Sequence, residues 1–347
     1  MIRPRNLPAL TGSKSGVRSL VAIPLLIVSV HLLAQPQPAW IDPSKHTERL
    51  VPVEPGTTVE VLDWGGSGRT LVLLAQLGQT AHLYDDWAPR LARSYRVLGI
   101  TRRGHGESAM APDAGLSTER LGADIVAVLD ALKLPNPVLV GHGFAGEEMS
   151  WVGSRHANRL AGLIYVDAAY DRTKIAEEGA IARRIPAAGG GAMRPEDMAS
   201  PAALTRWMSG NIGFPLPESE VRQIARFGPD GRAMGERMPQ ATRTRALAAM
   251  MPVDYSTIRV PALALYAKRT VTDVSPGCGT PADESVRQAC GELFDWTSQQ
   301  LARSQAMVKT IGARTEIVDL PGTNAFVFLA YEREVTLAID RFAATLR

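Results

Sequence analysis

A glycine-rich turn within residues 137–149, PVLVGHGFAGEEM, is the stretch of this sequence whose residue types and spacing come closest to a chemical site. Apolar residues enter the turn and a helix-compatible segment leaves it, so the pattern predicts a strand, a tight turn and a helix. Two kinds of site use such a turn. The pattern G-x-S-x-G presents a serine nucleophile on a strained backbone, and the pattern G-x-G-x-x-G lets a pyrophosphate approach the first turn of a helix. Gly141, Gly143 and Gly146 match the second pattern letter for letter.

The dinucleotide interpretation has one further residue in its favour and one feature against it. Asp167 follows the next predicted strand, 26 residues after Gly141, where an acid can bind a ribose. The turn, however, comes after four predicted strands, whereas a dinucleotide-binding unit usually opens its domain. Dinucleotide binding through Gly141, Gly143 and Gly146 is therefore kept as an alternative.

The strands that must position the turn follow from the hydrophobic pattern. Residues 50–65 alternate apolar and polar side chains around Pro55 and Gly56, which predicts a hairpin. Continuous apolar runs predict strands that are covered on both faces. These runs are residues 71–75, 97–100, 137–140, 163–166, 261–266 and 316–320.

Helical segments separate these strands. A helix is expected around residues 85–95, and Ser117 is placed to cap another. The apolar positions with helical spacing are Leu121, Ile125, Val128, Leu129 and Leu132 in that capped segment, and Val335, Ile339, Phe342 and Leu346 in a closing segment. Strands that alternate with helices predict an α/β fold with a mostly parallel sheet flanked by helices.

Residues 171–256 interrupt the alternation. They contain a run of three glycines at 189–191, several prolines and seven of the eleven methionines. We expect an inserted helical cap here, between two parts of an α/β core at residues 47–170 and 257–347. The methionines have two interpretations, an ordinary apolar core or an adaptable wall of a ligand pocket.

The first 34 residues differ from the rest. Three arginines and one lysine supply four positive charges without an acid, and residues 19–34, SLVAIPLLIVSVHLLA, are almost wholly apolar. A basic start followed by a short apolar run predicts a signal peptide, with an N-terminal membrane anchor as the alternative. The protein is thus expected to be exported, periplasmic or secreted, or anchored at its N terminus, with no membrane span in the mature chain.

Charge and cysteine content narrow the partners. Without the four leader charges the net charge of +3 becomes −1, and no basic patch with interleaved aromatic residues remains, so nucleic acid is not an expected partner. Cys278 and Cys290 lie in one loop-like stretch and can form a local disulfide in an exported protein. The six histidines show no ligand-like spacing along the sequence, so we expect no metal and no other cofactor.

Six segments in order resemble the α/β-hydrolase superfamily, in the serine-hydrolase-like branch with an inserted cap. They are LVLLAQLGQTAHLYDDW, YRVLGITRRGHGES, VLVGHGFAGEE, LAGLIYVDAAY, PALALYA and IVDLPGTNAFVFL. The resemblance runs from about Leu50 to the C terminus and implies the α/β-hydrolase fold. It does not by itself imply an activity, because one fold hosts many reactions.

The resemblance assigns the catalytic positions residue by residue. The nucleophile position falls on Gly143, and the base position, after the late P-G-x-N turn, falls on Ala325. The acid position falls on Asp273, after the strand at 261–266, or on Asp167, after the preceding strand. Glycine has no nucleophilic side chain and alanine cannot accept a proton, so ordinary covalent catalysis requires atoms that these positions lack.

The remaining site residues surround this turn. The backbone N–H groups of Leu77 and Phe144 should form the oxyanion hole. The family usually has His-Gly where this chain has Ala75 and Gln76, which replaces a glycine by a residue with a Cβ. Gln76 and His82 are candidates for the pocket wall.

Other polar residues near these motifs have structural interpretations. His142 is expected to be packed and hydrogen-bonded, and His105 to hold its turn. Glu147 and Glu148 open the helix after the turn, where acids interact favourably with the helix dipole.

These residues predict an exported α/β-hydrolase-fold pseudoenzyme with a degenerate triad that binds a small apolar or ester-like ligand. The first alternative is an esterase-like hydrolase whose triad is altered in this variant. The sequence leaves the oligomeric state open.

Overall fold

Eight strands form one twisted sheet, and its centre is parallel. In the computed structural model, which describes residues 40–109, 115–186, 193–279, 283–322 and 324–346, ten strands are assigned. They are β1 (Thr47–Glu54), β2 (Thr57–Gly65), β3 (Thr70–Leu74), β4 (Arg96–Ile100), β5 (Val138–His142), β6 (Gly162–Val166), β7 (Ala225–Phe227), β8 (Ala233–Glu236), β9 (Ala262–Lys268) and β10 (Thr315–Pro321). The chain divides into residues 1–41 and 42–347, and the account below concerns the second unit.

The order of the large sheet is β1-β2-β4-β3-β5-β6-β9-β10. The first two pairings are antiparallel and the other five are parallel. The predicted hairpin is β1 and β2, turning at Pro55 and Gly56. Parallel neighbours bring the carboxyl ends of β3, β5, β6 and β9 to one edge of the sheet, which is where ligands bind in open α/β sheets.

Helices cover the sheet on both faces. They are α1 (Ala88–Leu91), α2 (Thr118–Ala131), α3 (Ala145–Arg155), α4 (Ile175–Ala182), α5 (Pro201–Ile212), α6 (Glu218–Ile224), α7 (Gln240–Ala249), α8 (Glu284–Val308), α9 (Val327–Ala330) and α10 (Glu332–Ala343). Ser117 caps α2 as expected, because its side chain accepts a hydrogen bond from the backbone N–H of Arg120. The closing amphipathic helix is α10.

The core has two apolar layers, one on each face of the sheet. Leu71 and Leu73 of β3 belong to one layer, and Val72 and Leu74 belong to the other, as the two-residue period of a strand requires. Helix α10 packs on the first layer, and α2 and α3 pack on the second. The fold class predicted from the alternation of strands and helices is therefore confirmed.

Two local predictions were wrong. The helix expected around residues 85–95 is only the four-residue α1, because Pro89 lies in its first turn and a helix cannot extend backwards through a proline. Cys290 lies on the 25-residue helix α8 and not in a loop. Asp283 caps that helix by accepting a hydrogen bond from Val286 N–H. The expected bond between Cys278 and Cys290 is present.

Residues 171–256 contribute no strand to the large sheet within their described part. They form α4 to α7 and a separate two-stranded sheet of β7 and β8. Their assignment as an inserted cap stays a prediction, as do the core boundaries. The predicted leader, residues 1–34, and the glycines at 189–191 lie outside the described residues. Within the described residues, we find no helix with the length and apolar character needed to cross a membrane.

Candidate active site

The glycine-rich turn joins β5 to α3 at the carboxyl edge of the sheet. Gly143 has a φ of +58°, a left-handed conformation that is strained for residues with a side chain. Its N–H donates to Val166 O at 3.3 Å, so the end of the neighbouring strand β6 supports the turn. Helix α3 begins two residues later, at Ala145. The local backbone therefore has the strand, sharp turn and helix that position a nucleophile in this kind of site.

The Gln76 side chain fills the space where a nucleophile would stand. A Cβ built on Gly143 would lie 2.7 Å from Gln76 Cβ and 2.7 Å from Gln76 Oε1. Gln76 follows β3 directly in the loop expected to form the oxyanion hole. A serine at position 143 would thus require movement of the Gln76 backbone and not only of its flexible end. Gln76 was predicted as a pocket-wall residue, and its observed place is over the turn.

The expected base position lies beside the turn. His142 Nε2 donates to Ala325 O at 3.0 Å, which brings Ala325 against the residue preceding Gly143. The His142 ring also contacts Phe326 and Phe328, with centroid distances of 5.3 and 5.2 Å. Burial lowers the pKa of His142 to about 4, although the nearby Asp167 carboxylate opposes this shift. His142 is therefore neutral near pH 7, and its Nδ1 has no hydrogen-bond partner within the described residues.

The two candidate acids differ in their surroundings. Asp167 is buried and accepts hydrogen bonds from Tyr170 Oη at 2.6 Å and Ala267 N at 2.9 Å. Asp273 accepts from Thr270 N at 3.2 Å and Oγ1 at 2.6 Å, within its own turn. The residue that interacts electrostatically with His142 is Asp167.

The loop expected to form the oxyanion hole is held by His105 and Arg102. His105 Nε2 accepts from Gly78 N at 3.0 Å, and its Nδ1 lies 3.0 Å from Arg103 O. Arg102 donates to Ala75 O at 3.0 Å and pairs with buried Glu148 of α3 at 2.8 Å. Within the described residues, we find no acceptor for the N–H groups of Leu77 and Phe144, and Gln76 Oε1 lies over the same turn.

The acids at the start of α3 are ion-paired and not only helix-dipole partners. Besides the Glu148 pair with Arg102, Glu147 pairs with Arg172 at 3.2 Å. The Arg172 guanidinium lies 3.7 Å from the centre of the Phe144 ring. Burial raises the pKa of both carboxyls, and the arginines counteract the shift. These contacts fix the helix that follows the turn.

The glycines of the literal G-x-G-x-x-G match face protein atoms. A Cβ on Gly141 would collide with the Met149 sulfur, and one on Gly146 would lie 2.8 Å from Ala169 N. With Gly143 facing Gln76, the three glycines permit close packing within the chain. No such packing was inferred from the sequence.

One cavity is lined mainly by side chains of residues 193–243. It has a volume of about 180 Å³ and is bordered on the core side by Gly78, Thr80 and the turn at Gly104–Gly106. Four of the methionines predicted as core or pocket wall line it: Met193, Met198, Met208 and Met238. Gly143, Ala325, Gln76 and His82 are not among its described lining residues. Gly143, Ala325 and Asp167 therefore lie around His142, but they are not among the described lining residues of this cavity.

His82 lies in a buried polar cluster. Its ring centroid is 5.1 Å from that of His46, and Asp42, His46 and His82 each offer a ligand atom within 4.8 Å of the others. Burial opposes a charge on His82, but hydrogen bonds to Asp85 and Glu60 outweigh it and raise its pKa to about 10. The fold brings His46 and His82 together although their spacing along the sequence is not ligand-like, and the expectation of no metal stays a prediction. Residues 42, 46 and 82 are too widely spaced for any local pattern to have indicated this grouping.

Comparison with known proteins agrees with this architecture. A family profile for the α/β hydrolase fold matches residues 69–187. The non-heme haloperoxidase of Rhodococcus erythropolis is 35% identical over 124 residues, which are 34% of this chain and 43% of that protein. Epoxide hydrolase A of Mycobacterium tuberculosis is 29% identical over 198 residues, 53% of this chain and 61% of that protein. Each match spans less than two thirds of the relative's length.

A solved structure extends the similarity beyond the matched segment. The crystal structure of E-2-(acetamidomethylene)succinate hydrolase superposes with a TM-score of 0.62 and 15% identity, covering 86% of this chain and 100% of that one. At this identity the likeness shows the fold and not the reaction. The sheet order, the turn after β5, the family profile and this superposition lead to one conclusion: the chain has the α/β-hydrolase fold.

Proposed function

We propose that this protein binds a small apolar or ester-like ligand and lacks ordinary serine-hydrolase turnover. The observation that carries the proposal is the turn at Gly143, where the nucleophile is absent and Gln76 fills its space. Loss of a complete triad costs on the order of 10⁶ in turnover, and binding with an oxyanion hole leaves about 10³ to 10⁴ over water. With Ala325 at the base position, catalysis by this route is expected near background.

The cavity of about 180 Å³ lined mainly by residues 193–243 supports the binding part of the proposal. Its methionines are flexible apolar side chains that adapt to ligands of different shape. Arg237 and Arg243 also border it, paired with Glu107 and Glu236, and Arg243 Nε has no hydrogen-bond partner within the described residues. The relatives named above act on different substrates, and similarity to them does not select one.

Turnover and binding of p-nitrophenyl butyrate test the proposal. We expect hydrolysis indistinguishable from that of a heat-denatured sample, together with saturable binding measured by calorimetry. Met208→Glu, which places a charge in the cavity wall, should weaken that binding. Hydrolysis well above the control, retained through purification, would contradict the proposal.

An altered esterase is the second candidate, favoured by the parts of the site that remain. His142, Asp167 and the N–H groups of Leu77 and Phe144, for which no acceptor is found within the described residues, belong to the turn or lie beside it. If this candidate holds, Gly143→Ser with Ala325→His should become reactive toward a fluorophosphonate probe, and adding Gln76→Gly should increase the labelling. A folded triple variant that stays unlabelled would show that these positions are not the nucleophile and base slots.

Dinucleotide binding has less support, because the three glycines face Met149, Gln76 and Ala169. We expect no change in melting temperature on titration with NAD or FAD. A saturable stabilisation by either compound would restore this alternative.

Export is a further part of the proposal. The basic and apolar leader motivates it, and the bond between Cys278 and Cys290 supports it, since disulfides persist in oxidising compartments. Cell fractionation with mass measurement of the mature chain tests it. Recovery of uncleaved protein with free thiols from the cytosol would contradict it.

A further inference from the structure

A buried group of two histidines and two aspartates lies apart from the turn at Gly143. We call Asp42, His46, His82 and Asp85 the His46–His82 cluster. His46 precedes β1, and His82 and Asp85 belong to the short helical turn after the oxyanion loop. The His82 and Asp85 side chains are 1% and 2% exposed, and that of His46 is 3% exposed. No step proposed for the turn at Gly143 uses these groups.

The separations in the cluster are those of ligands around one metal ion. Asp85 Oδ1 lies 2.8 Å from His46 Nδ1, and Asp85 Oδ2 lies 3.2 Å from His82 Nδ1. Asp42 Oδ2 lies 3.8 Å from His82 Nδ1. Zinc binds nitrogen and oxygen ligands at 2.0–2.2 Å in a tetrahedron, which places neighbouring ligand atoms about 3.4 Å apart. Asp42, His46 and His82 each offer a ligand atom within 4.8 Å of the others, and Asp85 contacts both rings, so the four side chains must draw together to surround one ion.

Both imidazoles have the outer partner that metal-binding histidines require. His82 Nε2 lies 3.4 Å from Glu60 Oε1, and His46 Nε2 lies 3.4 Å from Glu48 Oε1. A carboxylate on the far ring nitrogen fixes the ring and makes the facing nitrogen a better ligand. Each Nδ1 therefore faces Asp85, and each Nε2 lies within hydrogen-bond distance of a glutamate on the other side of the ring.

The charge balance also accommodates a cation. Asp42, Asp85 and Glu60 face the two rings, and Asp85 and Glu60 are almost fully buried. Buried carboxylates are stable only when opposite charge and hydrogen bonds compensate them. Without an ion, the two imidazoles, Trp64 and Ser219 donate to Asp85, and a divalent ion would take the place of the imidazole protons.

We propose that Asp42, His46, His82 and Asp85 bind one Zn²⁺ ion in a tetrahedral site. Two imidazole nitrogens and two carboxylate oxygens suit zinc, and four protein ligands make a closed, structural site. The site joins three parts of the chain: the segment before β1, the turn after the oxyanion loop, and helix α6, whose Ser219 Oγ donates to Asp85 Oδ2 at 2.5 Å. This proposal is independent of the one for ligand binding.

Cobalt binding by the purified full chain tests the site after treatment with a chelator and its removal. We expect one equivalent of Co²⁺ to give the intense visible absorption of tetrahedral cobalt, and Zn²⁺ to displace it. Zinc should also raise the melting temperature.

Variants assign the ligands. Asp42→Asn, at the most exposed ligand, should weaken Co²⁺ binding by roughly 10- to 100-fold, and His46→Gln should remove the absorption. His156→Gln, a histidine outside the cluster, is the control and should bind like the parent. If His46→Gln does not fold, Asp42→Asn carries the test alone.

Absence of Co²⁺ and Zn²⁺ binding by the parent protein overturns the proposal and leaves an ion-pair network. Unchanged cobalt affinity in folded Asp42→Asn and His46→Gln variants overturns it equally.

Discussion

The turn at Gly143 and the His46–His82 cluster are opposites within one molecule. The turn places a left-handed residue, Gly143, at the end of a central strand, but Gly143 has no side chain and burial lowers the pKa of His142. The cluster has side chains that can bind a metal ion. Its residues are not among the described lining of the cavity that Gly78 and Thr80 border. The comparison teaches that a shared fold carries backbone geometry, while chemistry depends on the side chains present.

The largest expected effect concerns the buried ion pair between Arg102 and Glu148, which connects the loop after β3 to the helix after the turn. Arg102→Met leaves Glu148 buried and unpaired, which should cost about 3–5 kcal/mol of unfolding free energy. Urea denaturation measures the loss, and Arg102→Met with Glu148→Leu should recover most of it. Arg184→Ala, at the exposed pair with Glu292, is the control and should cost no more than about 1 kcal/mol. Equal losses in the two single variants would mean that the buried pair does not support the turn.

The next effect concerns Glu220, a buried glutamate on α6 that interacts electrostatically with His82 and Asp85 of the cluster. Burial raises the pKa of Glu220 to about 7, and hydrogen bonds that Thr80 donates to the carboxylate oppose this shift. His82, Asp85 and Tyr84 are the titratable groups that interact with Glu220. The folded state therefore binds a proton more tightly than the unfolded state. This contribution to stability is complete below about pH 4.5 and is lost as the pH rises through 7.

Glu220→Gln should remove that pH dependence. In chelator-containing buffer, we expect the variant to be more stable than the parent at pH 8 by roughly 2–3 kcal/mol, and to differ little at pH 4.5. Glu119→Gln, at an exposed glutamate, should follow the parent curve. Parallel curves for parent and Glu220→Gln would show that this carboxyl titrates as it does in the unfolded chain.

A smaller effect tests the filled nucleophile position. Gly143→Ser imposes a side chain at positive φ and against Gln76 Cβ, so it should cost about 1–3 kcal/mol. Adding Gln76→Gly removes the contact but not the backbone strain, and should restore part of the loss. Gly213→Ser, at a positive φ with open space around it, measures strain alone. Identical losses at positions 143 and 213 would contradict the role given to Gln76.

The smallest effect concerns the hydrogen bond that Ser219 of α6 donates to Asp85 of the cluster. Ser219→Ala removes the hydrogen bond to Asp85 and should cost about 1–2 kcal/mol, since bonds to charged groups exceed the neutral average. Ser67→Ala, at an exposed serine, should be neutral within about 0.5 kcal/mol. A neutral Ser219→Ala would remove the link between α6 and the cluster.

Much of the scaffold was predictable because its signals are local. The apolar runs gave the strands of the sheet, and Ser117 with its helical apolar spacing gave α2. Helix α1 is shorter than expected because Pro89 limits its start. Helix α8 is not indicated locally because the residues around Cys278 have a loop-like composition, although Cys290 lies within the helix.

The candidate site was predictable only in part. The residues at 143 and 325 can be read from the sequence once the turns are aligned with the family, and their roles stay predictions. The choice between Asp167 and Asp273 depends on which one faces His142, and that contact crosses strands. The position of Gln76 over Gly143 depends on the register of β3 beside β5.

By itself, the sequence determined the fold class and the absence of a hydroxyl and an imidazole at the two assigned positions, because periodicity and residue identity are properties of the chain alone. The tertiary structure decided which atoms fill the space over Gly143 and that His46 meets His82. Both outcomes are contacts between residues distant in sequence, and they depend on strand order and packing that local spacing does not encode.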